Sequence, residues 1–545
     1  MDNSTVGEPL EAVKYDKKEI EHKEQVIEES ARKQCIDEEQ TAQFRRFTEA
    51  DADWHRAMHK KLMRKLDIHL LPLLVLMYLL NFLDRNNLSQ ARLSTLEKDL
   101  GMKGTDFNLA TSILFVGYIL MQLPSNLMLT RVRPSLYLSI AMTIWGAIST
   151  AQSAVQSFSG LLVARFFLGF AEAPFFPGAI FLMSSWYTRG EMAHRIAWFY
   201  SGSSLANAFG GLIGAGVLSN LSGVHGVSGW RWLFIIEGSI TIAAAISAGF
   251  ILPNYPTNTK WLTPEEQAYA QWRLLEDTGE ADLADSIAIK EGVKMAFKDP
   301  RLYLFTLLQH VSILSQAFQY FFPTIAKSLG FGDVVTLLLT APIWIVTFLV
   351  SLVATYTSGR FADRSIHITC LMLVSFVGNI IVVSTLNTGV RFFAVSDFPA
   401  RHFRPGEYSP WCIIFAFYLA ITDFRVSQLF LLPVGAVTSY QIILAWVANS
   451  FPRPLVKRSA CISVANLIGN IANIYGSYLY ADGPRYIAGG AATAGVAFLV
   501  AVLALVTRLV LQRDNKRLAQ REVSESEDTA ANNPEAVATG FRYIL

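Results

Sequence analysis

The sequence predicts an all-α membrane protein of twelve transmembrane helices in two six-helix bundles. Three observations carry that expectation. The chain is 52% hydrophobic and only 17% charged over 545 residues, too apolar for a soluble protein of this size. The apolar residues come in blocks of about twenty or more, the length a helix needs to cross a bilayer. The blocks fall as six and six around one long polar stretch, the pattern of a membrane protein built from two related halves.

Residues 1–65 mix both charge signs without sustained periodicity until Phe44 and read as a cytosolic tail with no cleavable signal peptide, so the first span must direct insertion. The N-terminal bundle, 66–252, has spans near 67–92, 108–130, 134–154, 158–186, 193–219 and 231–252. The C-terminal bundle, 301–512, has spans near 301–327, 334–358, 366–387, 429–450, 459–480 and 487–512, followed by a cytosolic tail, 513–545. Within the central loop, 253–300, Thr263-Pro264-Glu265-Glu266 spells a capping box with proline at the first helical position, opening a surface helix to about Glu276.

Loop charges set the orientation. The side shared with both termini holds nine basic loop residues (Arg131, Arg133, Arg189, Arg195, Arg360, Arg364, Arg453, Lys457, Arg458), against four opposite (Lys98, Lys103, Lys327, Arg485) when the segment 395–428 is left aside. Both termini are therefore expected in the cytosol. A net charge of +2 gives no reason to expect nucleic acid as a partner. Four scattered cysteines (Cys35, Cys370, Cys412, Cys461) show neither metal nor disulfide spacing and read as structural thiols. No nucleophile–base or metal spacing appears in the membrane portion, so an enzyme is not expected.

Charges inside the spans carry the functional signal. Arg165 and Glu172 lie within the fourth apolar run. A charge at mid-membrane costs about 2.5–3.5 kcal/mol on insertion scales, so such residues face a protein interior or a water-filled cavity. Seven residues make two helical turns, which puts both groups on one face, about 10.5 Å apart along the axis. Either they present a cation and a carboxylate to one cavity, or they form an ion-pair network that pins the helix. In span one, Asp84 and Arg85 point roughly 100° apart, so one can face the cavity while the other engages a neighbouring helix. The alternative is a solvated pair at the outer surface.

Tyr118 and Gln122, four apart on span two, can bond a polar ligand or glue helices together. The glycines of span five suit close packing. Span seven carries His310, Gln319 and Tyr320, the histidine reading as a packing residue. Asn466, Asn470 and Asn473 step by four and three along span eleven and share a face, expected toward the cavity. The second half thus offers neutral hydrogen bonds to a ligand whose charge the first half binds.

With these residues placed, the chain resembles a major facilitator superfamily transporter of the anion:cation symporter family, in the fungal allantoate permease branch. The matching residues are Asp84-Arg85-Asn86-Asn87, the GYILMQLPSN run ending span two, Arg165 with Glu172-Ala173, and Gly229-Trp230-Arg231-Trp232 leading to Glu237-Gly238. The WLTPEE start of the central loop, YFFPTIAKSLGF at span seven and the terminal FRYIL also match. Gly359-Arg360-Phe361-Ala362-Asp363-Arg364 resembles the superfamily's loop motif, whose Asp and Arg clamp helix ends in one state; the first-half copy near Leu129–Pro134 has lost its Asp.

The resemblance implies a major facilitator fold and proton-coupled uptake of a small organic anion, such as allantoate, nicotinate, pantothenate or a related acid, by alternating access. It assigns proton coupling to Glu172 and Asp84 and substrate binding to Arg165 and Arg85. Tyr118, Gln122, Tyr320 and Asn466 are the further expected ligand contacts, and Gly359, Arg360, Asp363 and Arg364 the gating loop. The physics agrees: a guanidinium grips a carboxylate through a bidentate fork, and burial disfavours a carboxyl's charged form, so that it can load and release a proton. The expected partners are the anion, protons and the bilayer. No cofactor is expected beyond the proton as coupling ion, and the chain is expected to act as a monomer in the plasma membrane.

Two other functions stay open. A drug/proton antiporter would carry a glycine-proline motif ending span five, where Phe209-Gly210-Gly211 has no adjacent proline. A nutrient receptor that barely transports would carry a very long cytosolic tail, and the C-terminal tail here is about thirty residues. One segment departs from the family pattern. Residues 395–428 interrupt the tenth span, and their apolar core, Trp411 to Ile421, is eleven residues long, short of a crossing. The segment is either an extracellular insertion or a translated intron: Val395-Ser396 can encode a GT donor, Gln428 can end in an AG acceptor, and Thr422-Asp423 can encode a branch point.

Overall fold

The computed structural model describes residues 38–544 except 130–131, 257–258, 260, 283–288, 328–331, 362, 385–423, 452–454, 482–485 and 533–543. Most of the interrupting segment, and the stretch 389–394 before it, lie outside the described residues.

Helices occupy the positions of the twelve expected spans among the described residues. In the first half, span one is Leu71–Ala91, span two Asp106–Leu129 and span three Pro134–Ala151. Span four is broken into Phe158–Glu172 and Phe175–Ser184, span five is Arg189–Asn220 and span six Gly229–Ile251. Pro174 explains the break, because it has no amide to donate and its ring crowds the preceding turn. Glu172 therefore ends a helix at the bend. In the second half, span seven is Pro300–Leu314 followed by a 3-10 stretch, Ala317–Phe321, and the short helix Phe322–Lys327. Spans eight to twelve are Asp333–Arg360, Arg364–Ser384, Phe424–Ser450, Leu455–Gly476 and Ile487–Asn532. Seven membrane-crossing stretches are long and apolar enough by composition alone, among the described residues.

Small residues set how closely the helices approach. A Cβ on Gly117 would strike the carbonyl of Phe166, and one on Gly169 the carbonyl of Leu114, so spans two and four touch backbone to backbone. In span five, Gly211 lies against Thr340 and Leu337 of span eight, and Gly210 and Gly214 against Gln90 of span one. These glycines serve packing across both halves, as their density suggested.

The stretch read as a tail is helical from Glu38, with helices Glu38–Glu49 and Ala52–His69 leading into span one. Met58, Leu62, Met63 and Leu66 form its buried stripe, and the central-loop helix Pro264–Asp282 covers it. The capping box forms as the sequence implied: the Thr263 amide donates to Glu266 Oε2 at 2.9 Å, and the Glu266 amide donates to Thr263 Oγ1 at 3.3 Å. Glu266 also binds Lys65 Nζ at 2.6 Å and Lys61 Nζ at 3.1 Å. Burial alone would push this carboxyl up, but Lys65, the Thr263 amide and Lys61 outweigh it and hold the group at about 2. Arg273 of the loop helix donates to Glu191 and to the carbonyl of Trp186, fastening the layer to the start of span five. At the other end of the chain, Trp446 Nε1 of span ten donates to the Ile544 carbonyl at 2.8 Å.

Candidate functional site

The two bundles enclose a cavity of about 80 Å³, walled in the first half by Tyr78, Asn81, Phe82, Arg85, Tyr118, Glu172, Phe176 and Tyr200. The second half supplies Ile313, Gln316, Gln319, Tyr320, Tyr440, Asn466, Asn470 and Asn473. At its centre Arg85 grips Glu172: Nη2 and Nε both donate to Oε2, at 2.7 and 3.1 Å. Phe82, Phe115 and Tyr118 surround the guanidinium carbon with ring centroids at 5.1, 5.6 and 5.4 Å. Such faces attract a cation while excluding water. Glu172 Oε1 is buried with no hydrogen-bond partner.

The expected residues divide around this pair. Tyr118, Tyr320 and Asn466 line the cavity with Arg85 and Glu172, whereas Gln122, one turn along span two, is buried outside the wall with Oε1 unpartnered. Arg165 does not share the wall with Glu172. It lies behind Arg85, donating from Nη2 to the Arg85 carbonyl at 3.2 Å and from Nε to Ala110 at 3.5 Å, with Nη1 unpartnered. Two turns of separation along span four let Glu172 meet Arg85 while Arg165 reaches only backbone carbonyls.

Asp84 faces away from the cavity, where Ser149 Oγ, Thr241 Oγ1 and Trp145 Nε1 donate to it at 2.7, 2.7 and 3.2 Å. The Asp84-Arg85 neighbours thus look in two directions, and neither is solvated: both are buried. On span eleven, Asn470 Nδ2 donates to Asn466 Oδ1 at 3.2 Å and Asn473 Nδ2 to Asn470 Oδ1 at 3.3 Å, a ladder along the shared face. His310 contacts the Ile468 carbonyl and the Tyr475 hydroxyl, at 2.8 and 2.6 Å, between spans seven and eleven.

In the loop motif, Asp363 caps span nine through the Ile366 amide and binds Arg508 Nη1 of span twelve at 2.8 Å. Arg364 donates to the Ala445 carbonyl of span ten at 2.5 Å, while Arg360 and Gly359 are exposed and Gly359 faces open space. No cluster of three or more His, Cys, Asp or Glu able to hold a metal occurs among the described residues.

Polar contacts between the halves close the cavity on the side away from the termini. Asn108 Nδ2 of span two donates to the Ser477 carbonyl at 2.6 Å, and Ser112 Oγ donates to the Ile474 carbonyl at 2.5 Å. Arg92 stacks over Phe107 and Phe321, with centroids at 4.2 and 5.7 Å. On the terminal side a tyrosine cluster narrows the cavity: Tyr200 meets Tyr440 edge-on at 6.0 Å and Tyr78 at 5.4 Å. Sequence reasoning missed these tyrosines and Asn81. Asn81 was within reach of it, lying one turn before Arg85 on the same face. Tyr200 and Tyr440 gave no local signal, since each matters only through the other.

Residues 74–398 match the family model described as Major Facilitator Superfamily. The MFS-type transporter cnsO of Penicillium expansum is 33% identical over 507 residues, covering 90% of this chain and 91% of that protein. The major facilitator-type transporter hxnP of Emericella nidulans is 35% identical over 369 residues, covering 66% and 72%. Among solved structures, a bacterial homologue of the human lysosomal transporter Spinster, inward-facing and occupied, aligns with a TM-score of 0.55 at 15% identity over 82% of this chain and 97% of that one. The xylose transporter XylE from E. coli, partially occluded and inward-open, aligns at 0.54 with 13% identity over 80% and 96%. The chain belongs to the major facilitator superfamily, and it is a multi-pass membrane transporter rather than an enzyme.

Proposed function

We propose that this transporter takes up a small organic anion bearing a carboxylate together with protons, moving both by alternating access across the plasma membrane with its termini in the cytosol. The observation that carries the reading is the Arg85–Glu172 pair at the wall of a cavity shared by both bundles. A proton on Glu172 removes the charge that holds Arg85. The freed guanidinium then accepts the substrate carboxylate through its fork. The asparagine ladder and Gln316, Gln319 and Tyr320 bond the neutral body of the ligand from the second half. Release toward the cytosol, where protons are scarcer, restores the pair and expels the anion. Anion and proton thus occupy Arg85 and Glu172 together, and that mutual dependence is the coupling.

A cavity of about 80 Å³ is roughly half the 150 Å³ that admits benzene in an engineered core. The resting site is therefore contracted around its own ion pair, and substrate enters only as the pair opens. Arg165 braces the Arg85 backbone and Asp84 anchors span one behind the wall, so both act on the site through span one. Uptake of a panel of labelled carboxylic acids by purified protein in liposomes tests the reading. A proton gradient, inside alkaline, should drive at least one acid above its equilibrium level. Accumulation of cationic or neutral drugs in exchange for protons, with no acid transported, overturns it.

A further inference from the structure

Where the central loop meets span seven, a surface helix, Ile289–Lys298, packs against span eleven. Its ten residues, IKEGVKMAFK, hold three lysines and one glutamate. Ala296 is fully buried, while Val293, Met295 and Phe297 are 37, 38 and 47% exposed. Val293 and Phe297, four apart, share one face, and Lys294 and Lys298, also four apart, share the next. A surface helix with an apolar stripe beside a basic one suits the plane of a membrane interface.

Between this helix, span seven and the end of span twelve lies an open groove of about 560 Å³. Four cations line it, Lys298, Arg301, Lys457 and Arg517, against two carboxylates, Asp299 and Asp514. Asp299 is buried and doubly paired, with Lys457 Nζ at 2.7 Å and Arg301 Nη2 at 2.8 Å. Asp514 lies 3.9 Å from Arg301 Nη1. Lys298 and Arg517 are exposed and have no carboxylate partner among the described residues. The groove therefore has an excess of positive charge and two cations unspent.

Its depth fits a lipid headgroup. The apolar run of span twelve ends at Leu511, so Arg513 to Arg517 lie about 3–9 Å further along the helix, the depth of a headgroup layer. The acidic residues Glu522, Glu525, Glu527 and Asp528 begin about 7.5 Å beyond Arg517. Toward the hydrocarbon, Tyr303 and Leu307 of span seven and Leu509 of span twelve are exposed. The Tyr303 hydroxyl donates to the Phe297 carbonyl at 2.9 Å, with its ring on the apolar side, as tyrosines sit at a membrane interface.

We propose that this groove binds the headgroup of an anionic phospholipid from the leaflet on the side of the termini, with its phosphate between Lys298 and Arg517. Charge complementarity argues for an anion, because the surplus positive charge would repel the choline of a zwitterionic lipid. The apolar neighbours argue for a lipid: a free anion would satisfy the two cations and leave Val293, Phe297, Tyr303 and Leu307 in water. The site lies at the membrane surface, apart from the central cavity, and takes no part in binding the transported solute.

Native mass spectrometry of the purified full chain, mixed with equal amounts of phosphatidylglycerol and phosphatidylcholine, tests the proposal. The wild type should retain phosphatidylglycerol in preference. Lys298→Gln with Arg517→Gln should weaken that retention roughly tenfold. Each single variant should weaken it by a smaller factor, which keeps the test in hand if the double variant folds poorly. As a control, Lys60→Gln with Arg64→Gln removes the same charge from two exposed positions before span one and should leave retention unchanged. Undiminished retention by the Lys298 and Arg517 variants overturns the proposal, and so does an equal loss in the control, which would mean diffuse attraction. Equal retention of phosphatidylcholine removes the role of charge and also overturns it. Inorganic phosphate at millimolar concentration should leave the lipid bound; complete displacement would make the groove a site for free phosphate instead.

Discussion

At the scale of the residue, the site turns on one guanidinium that is held twice. Arg85 spends Nε and Nη2 on Glu172, and its backbone carbonyl takes a hydrogen bond from Arg165. Lysine keeps the charge at either position and loses the planar fork. Hydrogen bonds to charged groups are worth about 1.5–3 kcal/mol, so Arg85→Lys should raise KM for the transported acid roughly tenfold to a hundredfold. Arg165→Lys should weaken uptake less, since it acts through the Arg85 backbone. Initial rates at constant surface expression measure both, and undiminished uptake by both variants would reduce the arginines to structural ion pairs. The pairing across 87 residues was not legible in the sequence. Periodicity shows which residues share a helix face, as it did for Asn466, Asn470 and Asn473. It does not show which helix face meets which, and so spacing put Arg165 and Glu172 on one face without showing that Arg85 of span one is the group that meets Glu172.

At the scale of the element, two contacts decide where the charged turns sit. Spans two and four approach at Gly117 and Gly169, where a side chain would collide with a main-chain carbonyl. Gly169→Ala should therefore force the helices apart, cost about 1–3 kcal/mol and lower the yield of folded protein. Size-exclusion profiles of the solubilised variant check this, and an unchanged profile with normal uptake would mean that the helices separate freely.

The second contact lies at the membrane surface, where Glu266 both caps the loop helix and holds Lys65. Glu266→Ala should lose about 1 kcal/mol from the cap. Its folded carboxyl sits at about 2, against an ordinary 4.5. The stabilisation is therefore fully present above about pH 4.5 and lost as pH falls through about 2. Thermal unfolding of variant and wild type should differ at pH 7 and converge toward pH 2; a constant gap would assign the effect to packing. The helix Ala52–His69 was not foreseen as docked, because its partner lies about two hundred residues away in the central loop. Spans, by contrast, were legible one by one, since each must cross about 30 Å of hydrocarbon within its own sequence.

At the scale of the whole molecule, transport requires the halves to part at one end while they meet at the other. The meeting place here joins Asn108 to Ser477, with the Asn108 amide on the Ser477 carbonyl and the Ser477 hydroxyl on the Asn108 carbonyl. A double variant, Asn108→Cys with Ser477→Cys, should cross-link under oxidant and stop uptake until reduced. Full uptake by the cross-linked protein would show that these residues do not separate in the cycle. The segment 395–428 is expected to stand outside this motion, and the family-model match ends at residue 398, close to its start. Residues 424–428 begin the span-ten helix, so the deletion that should leave uptake intact is 395–423, and sequencing the mature messenger distinguishes an insertion from a translated intron.

The central claim is that Glu172 carries the coupling proton, and Glu172→Gln in liposomes tests it most directly. Glutamine retains the size of the side chain and a contact with Arg85 but cannot change its charge. The account predicts that the variant still exchanges labelled for unlabelled acid across the membrane and no longer concentrates it when the outside is acidified. A Glu172→Gln protein that concentrates the acid as wild type does would contradict the account.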